Sequence, residues 1–333
     1  MKGILNIGNT CYMNSAIQCL SHIPEIRNYF LTGSHLNNLN LKSNAMDLTN
    51  EWGKLLYRLC QDKEEKKINP IDFVKTFLMT CQKNNINFNG FNQNDVEDFL
   101  NQFLDFIHNS ISVNIKINIT GKIKTIEDKL AYGAAASWSK FFNNSYSHII
   151  DMMYSQLLCT TTCPKCKNTC INYEPLMTLS LSIPLNLVSN NTIRLYDLFD
   201  SYTAEEILDT DNQWKCDTCH ENVNCNKKLT FWYLSNIIII VIKKYTLSHK
   251  INVNIEYPME LDLNKYCINY KENNLNYSLI GSCIHSGGLN GGHYYAICKK
   301  YNDWYCYNDD KVSKLDIKQV KHSDAYCLIY RRK

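Results

Sequence analysis

Three side chains of this 333-residue sequence could together form an activated thiol. Residues 3–20 read Gly-Ile-Leu-Asn-Ile-Gly-Asn-Thr-Cys-Tyr-Met-Asn-Ser-Ala-Ile-Gln-Cys-Leu. Gly8, Asn9 and Thr10 are turn and cap types, after which Met13, Ala16, Ile17 and Leu20 recur at helical spacing. Cys11 is therefore expected at a helix N-terminus, where unpaired N–H groups and the positive dipole end favour a thiolate. The plain alternative is a buried structural cysteine, the common fate of a thiol in a chain with sixteen of them.

A second segment shifts the balance. Residues 285–308 read His-Ser-Gly-Gly-Leu-Asn-Gly-Gly-His-Tyr-Tyr-Ala-Ile-Cys-Lys-Lys-Tyr-Asn-Asp-Trp-Tyr-Cys-Tyr-Asn. A glycine-rich loop, His285–Gly292, delivers His293 to the start of a strand, Tyr294–Cys298. A turn at Tyr301–Asp303 leads into a second strand, Trp304–Tyr307, that ends in Asn308. A hairpin sets His293 beside Asn308. Nucleophile, base and a group that fixes the imidazole tautomer are the parts of a cysteine-type acyl-transfer site. Asp309 is the runner-up for the third position. On a regular strand Asn308 and Asp309 point to opposite faces, so only one of them would face His293.

The elements that must hold these groups follow from periodicity. Up to about Ile111 the pattern is helical: Trp52, Leu55, Leu56 and Leu59 share a face, as do Phe73, Val74, Phe77 and Leu78, and Val96, Phe99, Leu100, Phe103, Leu104 and Ile107. Asn69-Pro70 and Asn94-Asp95 look like helix starts. Strand patterns follow at Leu179–Ile183, Lys228–Phe231, Ile237–Ile242, Tyr277–Cys283 and Tyr326–Tyr330, beside the hairpin. Helices first and strands later mean α+β. The polar stretch from Ser112 to Asn144, with Gly121 and Ala134–Ala136, reads as a connecting or insert region.

Composition excludes several classes. A net charge of +3 spread along the chain carries no nucleic-acid or membrane signal, and the longest apolar run, Ile237–Ile242, suits a buried strand. The start of the chain lacks a signal-peptide pattern, and no separate targeting module is visible. Cys163-Pro164-Lys165-Cys166 and Cys216-Asp217-Thr218-Cys219 are two C-x-x-C pairs with 49 residues between Cys166 and Cys216. Two such turns can supply the four-sulfur shell of a structural Zn²⁺, which leaves no open position for catalysis. The competing reading is coincidental pairing in a cysteine-rich chain. Cys159, Cys170, Cys225 and His220 read as spectators. Size and these pairs point to a reducing, intracellular setting, cytoplasm or nucleus, or the host cytoplasm for a viral protein.

The two catalytic segments resemble the Cys and His boxes of the ubiquitin-specific proteases, papain-like cysteine deubiquitinases. Asn6, Gly8, Asn9, Thr10, Cys11, Tyr12, Met13, Asn14 and Ser15 match the pattern G-L-x-N-x-G-N-T-C-Y-M-N-S. His285, Ser286, Gly287, Gly292, His293, Tyr294, Trp304, Asn308 and Asp309 match H-S-G-x-x-x-G-H-Y with its following W-x-x-F-[ND]-D. Gln93–Leu100 resembles a Q-x-D-A-x-E-F box, Tyr173–Leu181 an F-x-P-x-x-x-L-S-L strand, and Pro258–Leu263 a P-x-x-L-D-L segment. Two departures stand out: Asp98 replaces a Glu, and Ile242-Lys243-Lys244-Tyr245 stands for L-K-R-F.

The resemblance implies one catalytic domain over 1–333, with a helical thumb (1–111), the connecting region (112–155), zinc-ribbon fingers (156–235) and a β palm (236–333). It implies hydrolysis of the (iso)peptide or thioester bond after ubiquitin's C-terminal glycine, with Cys11 as nucleophile, His293 as base and Asn308 as orienting group. The Asn6 amide and the Cys11 N–H would stabilise the oxyanion, with Asp309 as a supporting group. Gln93, Asp95 and Tyr294 would bind the ubiquitin tail. Cys163, Cys166, Cys216 and Cys219 would hold structural zinc, and catalysis needs no cofactor. The implied partners are ubiquitin and ubiquitinated proteins, met by a monomer with no nucleic acid or membrane. Two alternatives stay open: the same chemistry on another ubiquitin-like modifier, and a non-catalytic ubiquitin-binding pseudoenzyme, against which the filled catalytic positions speak.

Overall fold

The structure, a computed structural model, describes residues 2–88, 92, 94–142, 144–189, 191–246, 250–269, 274–288 and 291–333. Its first part is helical: α1 (Cys11–Ser21), α2 (Pro24–Leu31), α3 (Met46–Cys60), α4 (Ile71–Lys83) and α5 (Val96–Ile111). Pro70 and Asp95 sit at the N-caps of α4 and α5, one residue before each helix. Every residue of α1 is buried, because this helix lies between α5 and the strands of the large sheet. The apolar faces read from the sequence close over it, with Trp52, Phe73, Phe77, Phe99 and Phe103 in one aromatic cluster.

The sheet that faces these helices runs, edge to centre to edge, Lys311–Leu315, Asp303–Asn308, Gly291–Lys300, Asn276–Gly288, Ala325–Arg332, Ile237–Lys243 and Thr178–Ser182. Its pairs are antiparallel except the last, which is parallel. The run Ile237–Ile242 is explained by this placement. Ile237, Ile239 and Val241 enter the helical core, while Ile238, Ile240 and Ile242 enter a second core on the opposite face. A strand covered on both faces has no polar side to show. Each such side chain contributes about 1.5–3 kcal/mol on burial, an upper bound.

The fingers are a four-stranded sheet in the order Thr169–Leu176, Ser155–Thr162, Asn226–Tyr233 and Glu205–Ile207. The segment expected to be a connection or insert is largely ordered, forming α6 (Ile126–Phe142) and α7 (His148–Met153). The small residues of α6 let it lie flat on the fingers. Ala134 is buried against Leu158 and Trp232, the Gln156 amide donates to the Ala134 carbonyl at 3.0 Å, and the Tyr173 hydroxyl donates to the Leu130 carbonyl at 2.8 Å. Among the described residues no helix is long and apolar enough to cross a membrane.

The two halves are fastened near the N-terminus. The short strand Gly3–Ile4 pairs in parallel with Lys67–Ile68, and the Ile4 N–H donates to the Asp309 carbonyl at 2.9 Å. Gly3 lies so close to the Asp310 backbone that an added Cβ would stand 2.4 Å from its carbonyl carbon. Gly3→Ala is expected to cost about 1–3 kcal/mol of stability, the usual toll of overpacking a rigid contact. Chemical denaturation checks this, and an unchanged midpoint would show that the fastening is slack.

Candidate active site

Asn6 builds the turn ahead of the thiol. Its side-chain oxygen accepts from the N–H groups of Gly8 (3.2 Å) and Thr10 (3.1 Å), and from the Thr10 hydroxyl (3.3 Å). Gly8 and Asn9 take positive φ values of 116° and 53° inside this loop. The chain then enters α1 at Cys11, as the sequence predicts. With its oxygen occupied, the Asn6 amide nitrogen turns outward and donates to Asp309 Oδ2 at 3.1 Å.

Asp309 gathers more than this. Asn14, one helical turn past Cys11, donates to Asp309 Oδ1 at 2.8 Å. Asp310 beside it pairs with Lys67. Asn14 was not among the sequence-derived site residues, although it lies within the matched Cys box. A buried Asn on an otherwise apolar helix face was the available signal.

His293 Nε2 lies 2.6 Å from Asn308 Oδ1 and 3.8 Å from Asp309 Oδ2. The expectation that only one neighbour could face the ring is thus corrected. The strand ends at Asn308, and Asp309 takes a left-handed conformation (φ 50°) that swings it to the same side. An amide oxygen only accepts, so Nε2 carries the hydrogen and Nδ1 keeps a lone pair.

The expected thiolate is also corrected. Cys11 is 7% exposed, and burial pushes its thiol up from the ordinary value. The negative charge of Asp309 adds to this, while the N–H groups of Tyr294, Tyr12 and Cys11 itself oppose it and do not prevail. Among the described residues Cys11 and His293 share no hydrogen bond. The resting thiol is therefore neutral, because desolvation outweighs the helix end.

A cleft of about 240 Å³ runs from Cys11 between the helices and the sheet. Asp95 and Tyr294 both line it. Asp95 caps α5 by accepting from the Glu97 N–H at 2.8 Å, and its other oxygen accepts from the Tyr326 hydroxyl. On the far wall His285 stacks on Tyr294 with centroids 4.2 Å apart, and its Nδ1 lies 2.5 Å from the Tyr245 hydroxyl. Burial pushes His285 down to about 4, so the ring is neutral at physiological pH. Sequence reasoning missed the site contacts of Tyr245, which ends the segment standing for L-K-R-F, and of Tyr326, which no local motif flags. Gln93 lies outside the described residues.

The glycine-rich segment read as a loop is mostly strand: Ser286, Gly287 and Gly288 pair with His293, Gly292 and Gly291. The two backbones pinch together, so that a Cβ on Gly287 would stand 2.4 Å from the Gly292 Cα. The two family departures meet different fates. Asp98 is exposed. Glu97 is buried and binds Lys243 and the Ser180 hydroxyl, while Lys244 is buried with its ammonium on the Ser323 carbonyl.

At the tip of the fingers the two C-x-x-C turns are near copies. Lys167 and His220 hold left-handed backbones, and their N–H groups donate to the carbonyls of Cys163 and Cys216 at 3.0 and 2.8 Å. The four sulfur atoms all lie within 4.8 Å of one another, with Cys163–Cys219 at 3.9 Å and Cys166–Cys216 at 3.6 Å. Thiolates bound at about 2.3 Å to a tetrahedral ion would be about 3.8 Å apart, so the donor set fits a metal. Backbone N–H groups of Cys166 and Lys165 draw the Cys163 thiol down to about 7, while the Cys166 sulfur and burial push Cys219 up to about 12, so it is the sulfur geometry that speaks for ligation.

A profile of the ubiquitin carboxyl-terminal hydrolase family matches residues 2–330. The chain belongs to this family. Bovine ubiquitin carboxyl-terminal hydrolase 2 is 30% identical over 343 residues, and the alignment covers 99% of this chain and 55% of that protein. The fruit-fly hydrolase Usp2 is 30% identical over 340 residues, covering 99% and 34%. The chain thus spans about half or less of these relatives. Among solved structures, the SAGA Ubp8/Sgf11/Sus1/Sgf73 DUB module bound to ubiquitin aldehyde superposes with a TM-score of 0.74 at 24% identity. That match covers 100% of this chain and 70% of the other. The α+β hydrolase fold is thereby shared.

A neutral resting thiol makes a direct prediction. The rate of Cys11 alkylation by iodoacetamide in substrate-free protein, followed by mass spectrometry of its peptide, should rise through an inflection above the ordinary thiol range of about 8.5. An inflection near neutrality would reveal a preformed ion pair.

Proposed function

We propose that this chain is a cysteine-type deubiquitinase that cleaves the bond after the C-terminal glycine of ubiquitin. The observation that carries the reading is the His293–Asn308 contact at 2.6 Å beside a buried thiol at the start of α1. His293 Nδ1, left with its lone pair, takes the Cys11 proton as sulfur attacks the carbonyl carbon. The carbonyl electrons move onto oxygen, where the Cys11 N–H and the second hydrogen of the Asn6 amide donate. Removing one such donor costs about 2.7–4 kcal/mol elsewhere. Protonated His293 then gives its proton to the leaving amine, and water, deprotonated by the same ring, releases ubiquitin from the thioester. Because the resting thiol is neutral, charge separation belongs to the substrate-bound state.

The cleft supports the substrate. Gly288 and Gly292 line it and present no side chain, which suits close approach of an extended tail that ends in two glycines. Asp95, already an acceptor for two groups, is the carboxylate placed to meet a tail arginine. A panel of modifier vinyl-sulfone probes tests the reading. A ubiquitin adduct on Cys11 that Cys11→Ala abolishes is expected. Preference for another modifier would move the substrate assignment, and no adduct with any probe would overturn catalysis.

Asn308 and Asp309 carry different duties. Asn308 is exposed and touches only the ring among its described side-chain contacts, so Asn308→Ala should lower kcat/KM by about one to three decades, roughly 1.4–4 kcal/mol, with the fold intact. Asp309→Ala removes the acceptor shared by the Asn6 and Asn14 amides, and should also cost about 1 kcal/mol of stability. It should lower the alkylation inflection of Cys11 as well, since the Asp309 charge raises that thiol. Steady-state kinetics with urea unfolding separates the two.

We further infer that Cys163, Cys166, Cys216 and Cys219 hold a structural zinc ion. Support comes from the sulfur spacing and from the meagre core beneath it, where Val223 and Cys225 are the other buried members. About one zinc per chain is expected by metal analysis. Stripping it with a chelator should unfold the fingertip and raise KM for ubiquitin substrates far more than it lowers kcat. Full activity in metal-free protein would refute the assignment.

A further inference from the structure

The start of the chain, α2, the end of α3 and the turn after the strand Gly291–Lys300 enclose a second cavity of about 300 Å³. Lys2, Arg27 and Lys300 line it, and none of its lining residues is acidic. All three cations are half-buried. Among the described residues no carboxylate pairs with Arg27 or Lys300. Three nearby acids are committed elsewhere, Glu25 to Arg331 at 2.7 Å, Glu65 to Arg58 at 2.6 Å and Asp303 to Lys314 at 2.8 Å. The Lys2 ammonium donates to the Arg58 carbonyl and its charge also acts on Asp62 and Glu65, so Arg27 and Lys300 are the cations left without a paired carboxylate among the described residues.

The three charges converge. Burial pushes the Cys60 thiol in this cavity up, and Arg27, Lys300 and Lys2 all pull it back down. Half-buried like charges lose hydration and repel one another, so the arrangement is costly without a counter-charge. The walls add neutral donors. Gln18, 3% exposed, places one amide hydrogen on the Lys2 carbonyl at 3.0 Å, and Asn28 brings a second amide. A guanidinium can grip two oxygens of one oxyanion while the ammonium groups act as point charges.

We infer that this cavity is a binding site for a compact multivalent oxyanion of the phosphate class, free or borne on a peptide. Its volume admits more than one phosphoryl group. It lies apart from the cleft, sharing no lining residue with it.

Titration calorimetry of the full chain with inorganic phosphate and with tripolyphosphate tests the site. One-to-one binding is expected, tighter for tripolyphosphate and weakened by added salt. Arg27→Met with Lys300→Met should weaken it by at least about tenfold, while hydrolysis of a fluorogenic ubiquitin substrate, unchanged, certifies the fold. A phosphoserine peptide that competes with tripolyphosphate would identify a protein-borne ligand, and failure to compete would identify a free anion. No binding at about 10 mM tripolyphosphate, or equal binding by the double variant, overturns the inference.

Discussion

The carboxylate of Asp309 is the point on which the site depends. It receives one amide hydrogen from the loop before Cys11 and one from the helix behind it, and it stands 3.8 Å from the base. Nucleophile and base come from opposite ends of the chain and from different layers of the fold. A single half-buried acceptor that takes two amide hydrogens adds a directional constraint to the apolar packing that holds helix against sheet. The cost is visible at Asn14, whose side-chain oxygen is buried with no partner among the described residues while its nitrogen serves Asp309.

Burial is the chief reason the thiol rests neutral, and the same carboxylate adds to it. A negative charge beside a buried sulfur opposes ionisation, and desolvation acts in the same direction. What anchors the geometry therefore suppresses the nucleophile until the electrostatics change. A substrate that fills the cleft, excludes water and brings its own carbonyl to the helix end would supply that change.

Much of this was legible in the sequence, and the failures have physical reasons. Cys11 at a helix start and His293 beside Asn308 followed from local patterns, because caps and hairpins are written in a few contiguous residues. The two C-x-x-C turns, whose sulfurs the fold brings together, were legible for the same reason. Asp309 was misjudged because strand alternation was carried one residue past the point where the backbone turns left-handed. The ionisation of Cys11 was misjudged because burial is a property of the assembled layers and not of the helix end. The helix α6 was missed because alanine, glycine and polar residues dilute the signal of its few large packing residues, Leu130, Trp138 and Phe142. Asn14, Tyr245 and Tyr326 reach their partners only across the fold.

A double-mutant cycle on Asn14 and Asp309 tests the anchoring role most directly. Asn14→Ala, Asp309→Ala and the double variant would be compared for unfolding free energy and for kcat/KM. If the carboxylate joins helix to sheet through this amide, the single losses should overlap, with a coupling of about 1 kcal/mol in stability and a matching overlap in rate. Losses that simply add would mean that Asn14 and Asp309 act independently, and that the nucleophile is positioned by packing alone.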